Sequence, residues 1–340
     1  MKFVPKALSA LLCASALAIG AVAQVAADEI NRHNFKVAFV QAKDHPHGLG
    51  AQKFADILKE KSDGKMKVMV FASGTLGGDA QVISSVQGGT VDMTLVTPGL
   101  LSGIEKGFAL YGLPFLFKNS AEVDAVLDGP VGQNLLTKLE PHGLMGLGYW
   151  DHGFRHVTNS KHPIQKVEDL KGLKLRLQQI PTAIESFKAM GVNVVPLSFT
   201  ELYTAMETRT VDGQENPLAA IETSKFYEVQ KYLSLTGHFY DPLVAIFSKR
   251  TWDKLNETER ELVRSAALEA QAYERKVSRE MDVTSREALA KHGMQINEVA
   301  PEEIERMRAH VQPTVDKLVA EYGPELMKEM DAAIAKVRNP

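Results

Sequence analysis

From about residue 35 onward, short apolar runs alternate with amphipathic stretches, and this alternation limits the folds open to the chain. Residues 36–40, 66–71, 91–96, 144–150, 173–177 and 193–195 read as strands. Between them, residues 50–61 place Phe54, Ile57 and Leu58 on one helical face, and residues 182–190 make another helix. Gly77-Gly78-Asp79 opens a further helix, with Asp79 placed to cap it. Strand–helix alternation of this kind predicts an α/β fold with a largely parallel sheet covered on both faces. The 340 residues suit two ordinary domains, and 25 Gly with 15 Pro give no low-complexity signature.

Beyond residue 250 the pattern becomes continuously helical. Asn256 followed by Glu259 has the form of a capping box, and the periodicity persists to about Lys291. A helix of roughly 35 residues is about 50 Å long, more than one small domain needs, so it is expected to brace two lobes. One faint internal echo accompanies it. Thr90-Val91-Asp92 leads to Pro98, and Thr210-Val211-Asp212 leads to Pro217. Chance would produce such a pair, and so would two lobes of like construction.

The first residues address the compartment. Lys2 and Lys6 precede an apolar run from Ala7 to Gly20, then the small residues Ala21-Val22-Ala23. That is the order of a secretory signal peptide over residues 1–27, with cleavage after Ala23 or Ala27. The run is short for a bilayer span, which needs about 20 apolar residues. Cys13, the single cysteine, follows two leucines rather than the small residue that lipid attachment prefers. A soluble periplasmic protein is expected, and a disulfide scaffold is excluded. With 39 basic against 42 acidic residues there is no cationic excess for nucleic acid.

No phosphate-binding, nucleophile-elbow, zinc-protease or dinucleotide motif occurs, so an enzyme is not expected. Gly74, Gly77 and Gly78 form a loop that reads either as a tight turn or as amides open to an anion. His45 and His47 flank Pro46 beside Asp44, but without further clustered ligands in the sequence no metal and no cofactor are expected.

The chemistry gathers between Gly172 and Pro217. In Leu173-Lys174-Leu175-Arg176-Leu177-Gln178 the leucines share one strand face, and Lys174, Arg176 and Gln178 share the other. Polar side chains at the carboxyl end of such a strand lie where open α/β sheets bind ligands. Arg176 there is a planar fork suited to a carboxylate, or else a surface arginine paired with an acid. Arg155 follows a strand ending in aromatics, and Asn216, before a proline, can project its amide from a polar loop. Phe199 is either a wall of that site or a core residue.

Gly172-Leu173-Lys174-Leu175-Arg176, Phe199-Thr200-Glu201-Leu202-Tyr203, Val211-Asp212-Gly213-Gln214-Glu215-Asn216-Pro217 and Lys225-Phe226-Tyr227-Glu228-Val229-Gln230 together resemble the solute-binding proteins of tripartite ATP-independent periplasmic (TRAP) transporters. The likeness runs in order from about Phe35 to Glu259. It implies a two-lobe, periplasmic-binding-protein-like receptor with crossing strands and a lobe-spanning helix. Lobe I would comprise residues 28–153 and about 242–281, and lobe II residues 154–241 and about 282–340. Such a receptor closes on a small organic acid, a C4-dicarboxylate or a sugar acid such as a uronate, and delivers it to a membrane permease, acting as a monomer. Position by position, the resemblance makes Arg176 the carboxylate clamp, Arg155 the second arginine, Asn216 the loop asparagine and Phe199 the ring that walls the pocket. Gln179 falls where sialic-acid binders carry asparagine and Thr97 where they carry glutamate, which argues against sialic acid. Trp150 on the hinge side and His47 in the first cleft-facing loop complete the candidates. A sensory receptor of the same fold, or a periplasmic enzyme, is the competing reading.

Overall fold

A computed structural model describes residues 29–339, so the expected signal peptide over residues 1–27 lies outside the described residues. The strands are β1 (His33–Ala38), β2 (Met66–Phe71), β3 (Met93–Val96), β4 (Leu144–Asn159), β5 (Lys174–Leu177), β6 (Asn193–Pro196), β7 (Gly213–Asn216), β8 (Tyr232–Ser248) and β9 (Gln295–Glu298). In the first half the helices are α1 (Pro46–Lys61), α2 (Asp79–Gly88), α3 (Ser120–Leu127), α4 (Pro130–Thr137) and α5 (Pro181–Ala189). Then come the short α6 (Leu202–Glu207), α7 (Leu218–Thr223) and α8 (Lys249–Trp252), followed by the long α9 (Glu257–Lys291), α10 (Pro301–Tyr322) and α11 (Pro324–Arg338).

All nine strands join one sheet in the order β2-β1-β3-β8-β4-β7-β5-β6, with β9 beside β8. The expected largely parallel sheet is corrected to a mixed one. Two parallel trios, β2-β1-β3 and β7-β5-β6, flank β4 and β8, which run antiparallel along most of their 16 and 17 residues. These two strands serve both lobes, and register shifts between Gly146 and Gly148, Asp151 and Gly153, and Arg155 and Val157 accommodate the crossing. Gly148 and Gly153 hold φ of +143° and +116°, values that a Cβ strongly disfavours.

The internal echo has a structural counterpart. Asp92 donates its N–H to the Lys36 carbonyl and accepts the Lys36 N–H on its carboxylate, at 3.0 and 2.8 Å. Asp212 does the same with Lys174, at 2.7 and 3.0 Å. Each aspartate carbonyl then accepts an amide beside a long strand, Ser248 for Asp92 and Ser160 for Asp212. The two trios are thus pinned by the same device.

The helix α9 begins with the expected capping box, in which Asn256 and Glu259 satisfy each other's backbone N–H. Its Val263, Ala266, Ala267 and Ala270 pack with Phe35, Phe54 and Trp150, whereas Leu289 packs with Leu202, Ile221 and Phe226. One helix therefore contributes to the cores of both trios. The small alanines bring it close enough to bond β4 directly: Tyr149 and Asp151 donate their N–H groups to Gln271 Oε1 and Glu274 Oε2. The C-terminal helices also bridge, since α10 packs Met307 and Val311 near Leu175 and Phe187, while α11 places Ile334 near Val126 and Leu135.

Candidate functional site

β5 carries the strongest candidate. Leu173, Leu175 and Leu177 enter one hydrophobic cluster, which turns Arg176 to the opposite face. Arg176 is 1% exposed. Its Nε donates to the Leu197 carbonyl at 2.9 Å, and its guanidinium carbon lies 5.9 Å from the centre of the Phe199 ring. Nη1 is buried without a hydrogen-bonding partner among the described residues. Burial lowers the guanidinium to about 10, partly offset by the negative charge of Glu215, so it remains cationic at neutral pH.

A recess beside Arg176 is lined by Asp79, Gln178, Gln179 and Phe199, with Gln179 exposed at its edge. Asp79 does not cap α2 as expected. Gly78 is the N-cap residue and Asp79 the first helical one, without a side-chain cap bond. Burial pushes the Asp79 carboxyl up to about 6 against the opposing pull of Arg176. The glycine loop is a bonded turn, with Gly77 N–H donating to Gly74 O and Gly74 N–H to Phe39 O. It abuts the opposite side of the recess: a Cβ on Gly78 would stand 2.5 Å from Ser198 Oγ.

Arg155, in β4, is buried and fully occupied by the protein. Nε and Nη2 donate to the Glu215 carboxylate at 2.5 and 2.8 Å, Nη2 also to the Glu215 carbonyl, and Nη1 to Asp241 Oδ2 at 2.7 Å. Despite burial, the two carboxylates hold its pKa above the usual arginine value, and Arg155 and His238 hold Glu215 at about 2 although burial alone would raise it. A second recess is lined by Arg155, Thr97, Gln178 and Asp241. Thr97 Oγ1 donates to Asp241 at 3.1 Å and accepts from Gln178 Nε2 at 3.3 Å, so Gln178 belongs to both recesses.

Asn216 ends β7, buried, with Nδ2 donating to Gln214 Oε1 and Oδ1 unpartnered among the described residues. Trp150 lies in the apolar cluster against α1, where a Cβ on Gly50 would be 2.5 Å from its ring, and it lines neither recess. His47 is buried at the start of α1 beside His45, and β4 brings His152 to them. The sequence pattern showed two histidines without further ligands; the fold supplies a third. Asp79, His152 and Asp241 were the members that sequence reasoning missed. The first was hidden by its apparent capping role, and the other two come together only through strand register.

The profile of the family described as "Bacterial extracellular solute-binding protein, family 7" matches residues 37–322. The chain belongs to this family. Family 7 consists of solute-binding receptors rather than enzymes. The 2,3-diketo-L-gulonate-binding periplasmic protein of Escherichia coli is 38% identical over 262 residues, covering 77% of this chain and 80% of that protein. Among solved structures, the sugar acid binding protein of Advenella mimigardefordensis in complex with galactonate superposes with a TM-score of 0.89 at 43% identity, covering 90% of this chain and 99% of the other. A TRAP periplasmic solute-binding protein of Sulfurospirillum deleyianum with bound succinate gives 0.86 at 31% identity, covering 89% and 99%. This family-7 receptor shares their two-lobe fold. No helix among its described residues is long and apolar enough to cross a membrane.

Proposed function

We propose that this protein is an exported periplasmic receptor that closes on a small organic acid, holds its carboxylate on Arg176 and hands it to the permease of a TRAP transporter. The observation that carries the reading is the buried guanidinium of Arg176, whose Nη1 has no partner among the described residues, on a residue that lines a recess walled by Phe199. A carboxylate completes that donor set by a charge-assisted bond in a water-poor site. Micromolar binding needs about −8 kcal/mol, and a small acid has few apolar atoms to bury, so this pair must supply much of it. The acids named in the relatives, galactonate, succinate and 2,3-diketo-L-gulonate, are all carboxylates. The lobes of the receptor are divided as residues 28–153 with about 242–281, and 154–241 with about 282–340, except that α11 packs back on the first lobe through Ile334 against Val126 and Leu135. Gly78 stands against Ser198 across the seam, and a ligand that touches both lobes favours this closed arrangement.

Calorimetry on a panel of organic acids tests the assignment. Arg176→Ala is expected to lose on the order of 3–5 kcal/mol of affinity, and Arg176→Lys to bind poorly because an ammonium cannot copy the fork. Near wild-type affinity in Arg176→Ala would remove the clamp. A radius of gyration unaffected by ligand would remove the closure.

A further inference from the structure

The seam between the two halves of the molecule is lined on one side by glycines. A Cβ on Gly74 would stand 2.5 Å from Thr200 Cγ2, and one on Gly78 2.5 Å from Ser198 Oγ. On Gly99 it would be 2.6 Å from Ile180 Cγ2, and on Gly112 2.7 Å from Thr182 Oγ1. The glycines all belong to the chain between β2 and α3, and the residues facing them follow β5 or β6 in the other trio. Real Cβ atoms do not approach a neighbour within 3.0 Å, so at each position a side chain would force the halves apart or displace its partner.

Backbone conformation explains only one of these glycines. Gly74 holds φ of +65°, which by itself favours glycine. Gly78 is extended, with φ of −76° and ψ of 170°. Gly99 and Gly112 lie in the 3₁₀ turns Pro98–Leu101 and Lys106–Gly112, and neither has a positive φ. Alanine adopts such backbones without strain, so the facing side chain is what excludes it.

The facing groups differ in how far they can yield. Ile180 is 3% exposed and meets the Gly99 position with Cγ2, Cδ1 and Cγ1 at 2.6, 2.9 and 3.1 Å. Its branched side chain is stiff at χ1 and has nowhere to turn. Thr182 is buried, and its Oγ1 is held by a hydrogen bond to the Ala109 carbonyl at 3.2 Å. Ser198 is only partly buried, and its hydroxyl can rotate away, so Gly78 is the softest of the three contacts. The contacts also frame the site. Gly99, Gly112 and Ile180 line the recess that holds Arg155, while Gly78 and Ser198 line the one beside Arg176. At each recess the backbone itself reaches the far side and leaves no gap for water.

We propose that Gly78, Gly99 and Gly112 are positioning residues for closure: their missing side chains let the two halves meet over both recesses, and one methyl group there holds the receptor ajar and shortens the life of the bound acid. This rests on the acid-receptor reading above, which wild-type binding tests separately.

The probes are D-galactonate, 2,3-diketo-L-gulonate and succinate, followed by calorimetry, stopped-flow kinetics and small-angle scattering. Gly99→Ala and Gly112→Ala are each expected to weaken the best-bound acid roughly 10- to 100-fold, through faster release rather than slower capture. Gly78→Ala should lose roughly 3- to 10-fold. At saturating acid the wild-type protein contracts and Gly99→Ala contracts less, while ligand-free melting temperatures stay unchanged. Gly103→Ala is the control, because that glycine is exposed, has no positive φ and has nothing within 4 Å of its Cβ position. Gly99→Ala combined with Ile180→Ala should regain most of the lost affinity, since the second change clears the space the first one fills. Wild-type affinity in Gly99→Ala and Gly112→Ala would overturn the inference and leave the acid-receptor reading standing. So would lowered ligand-free melting temperatures with full contraction at saturation, which would make these contacts ordinary core packing. Binding of none of the three acids by wild-type protein would remove the reading and the inference together.

Discussion

Two groups of buried or half-buried arginines, one on α9 and one lining the recesses, are treated in opposite ways. On the α9 side, Arg275 donates to the Tyr149 carbonyl at 3.0 and 2.7 Å and grips both oxygens of Asp128 at 2.7 and 2.9 Å. Arg279 beside it bonds Asp151 at 2.7 Å and Asp124 at 2.6 Å. On the recess side, Arg176 has one bond, to a carbonyl, and an Nη1 with no partner among the described residues. Arg155 stands between these extremes, buried like Arg176 but matched like Arg275. Full pairing makes an arginine a fastener; a missing partner leaves desolvation uncompensated until a ligand arrives. On the proposed function, stability and binding energy are thereby kept in different places.

The comparison can be broken by removing the charges one at a time. Arg275→Met strands Asp128 and the Tyr149 carbonyl, and with Asp128 half-exposed it should cost about 1–3 kcal/mol of unfolding free energy. Arg176→Met removes a buried, under-partnered charge and should not lower the stability of ligand-free protein while abolishing acid binding. Equal destabilisation in urea melts of the two variants would erase the distinction.

The carboxylates sharpen the same contrast through pH. Asp79 has its folded pKa raised from 3.8 to about 6, so the native state binds the extra proton between those values. Stability from this group is present at low pH and is lost as pH rises through about 6. Glu215 has its folded pKa lowered to about 2, so its contribution is present above the unfolded value near 4.5 and is lost as pH falls toward 2. Asp79→Asn should flatten the pH 4–6 limb of ligand-free stability, measured by denaturant melts, and leave the acid limb in place. An unaltered pH 4–6 limb would show that Asp79 is not the titrating group. The smallest expected effect belongs to Phe199→Leu, which removes the ring near Arg176 and should weaken acid binding by about 1 kcal/mol, checked by calorimetry.

Much of the site's first half could be read before any coordinates. The leucine alternation around Arg176 assigns its face because strand side chains alternate with period two. The α9 boundaries were equally legible, since a capping box and a helical period are local properties. Other features depended on strand pairing. The parallel expectation failed because β4 and β8 are long enough to pass between both lobes, and periodicity carries no strand direction. Asp79 had the residue type of a cap, yet its helix begins one position earlier and its carboxyl serves the recess. Arg155 had the right type for a ligand contact, but Glu215 lies 60 positions away and Asp241 86, and sequence spacing does not reveal that they meet.

The chain by itself determined the alternation of elements, the long bracing helix and an arginine at a strand's carboxyl end, because each is encoded in neighbouring residues. Only the tertiary structure decided which arginine keeps an empty donor and which histidines converge. Those outcomes depend on register between β4, β7 and β8, where residues far apart in the chain become hydrogen-bond distances.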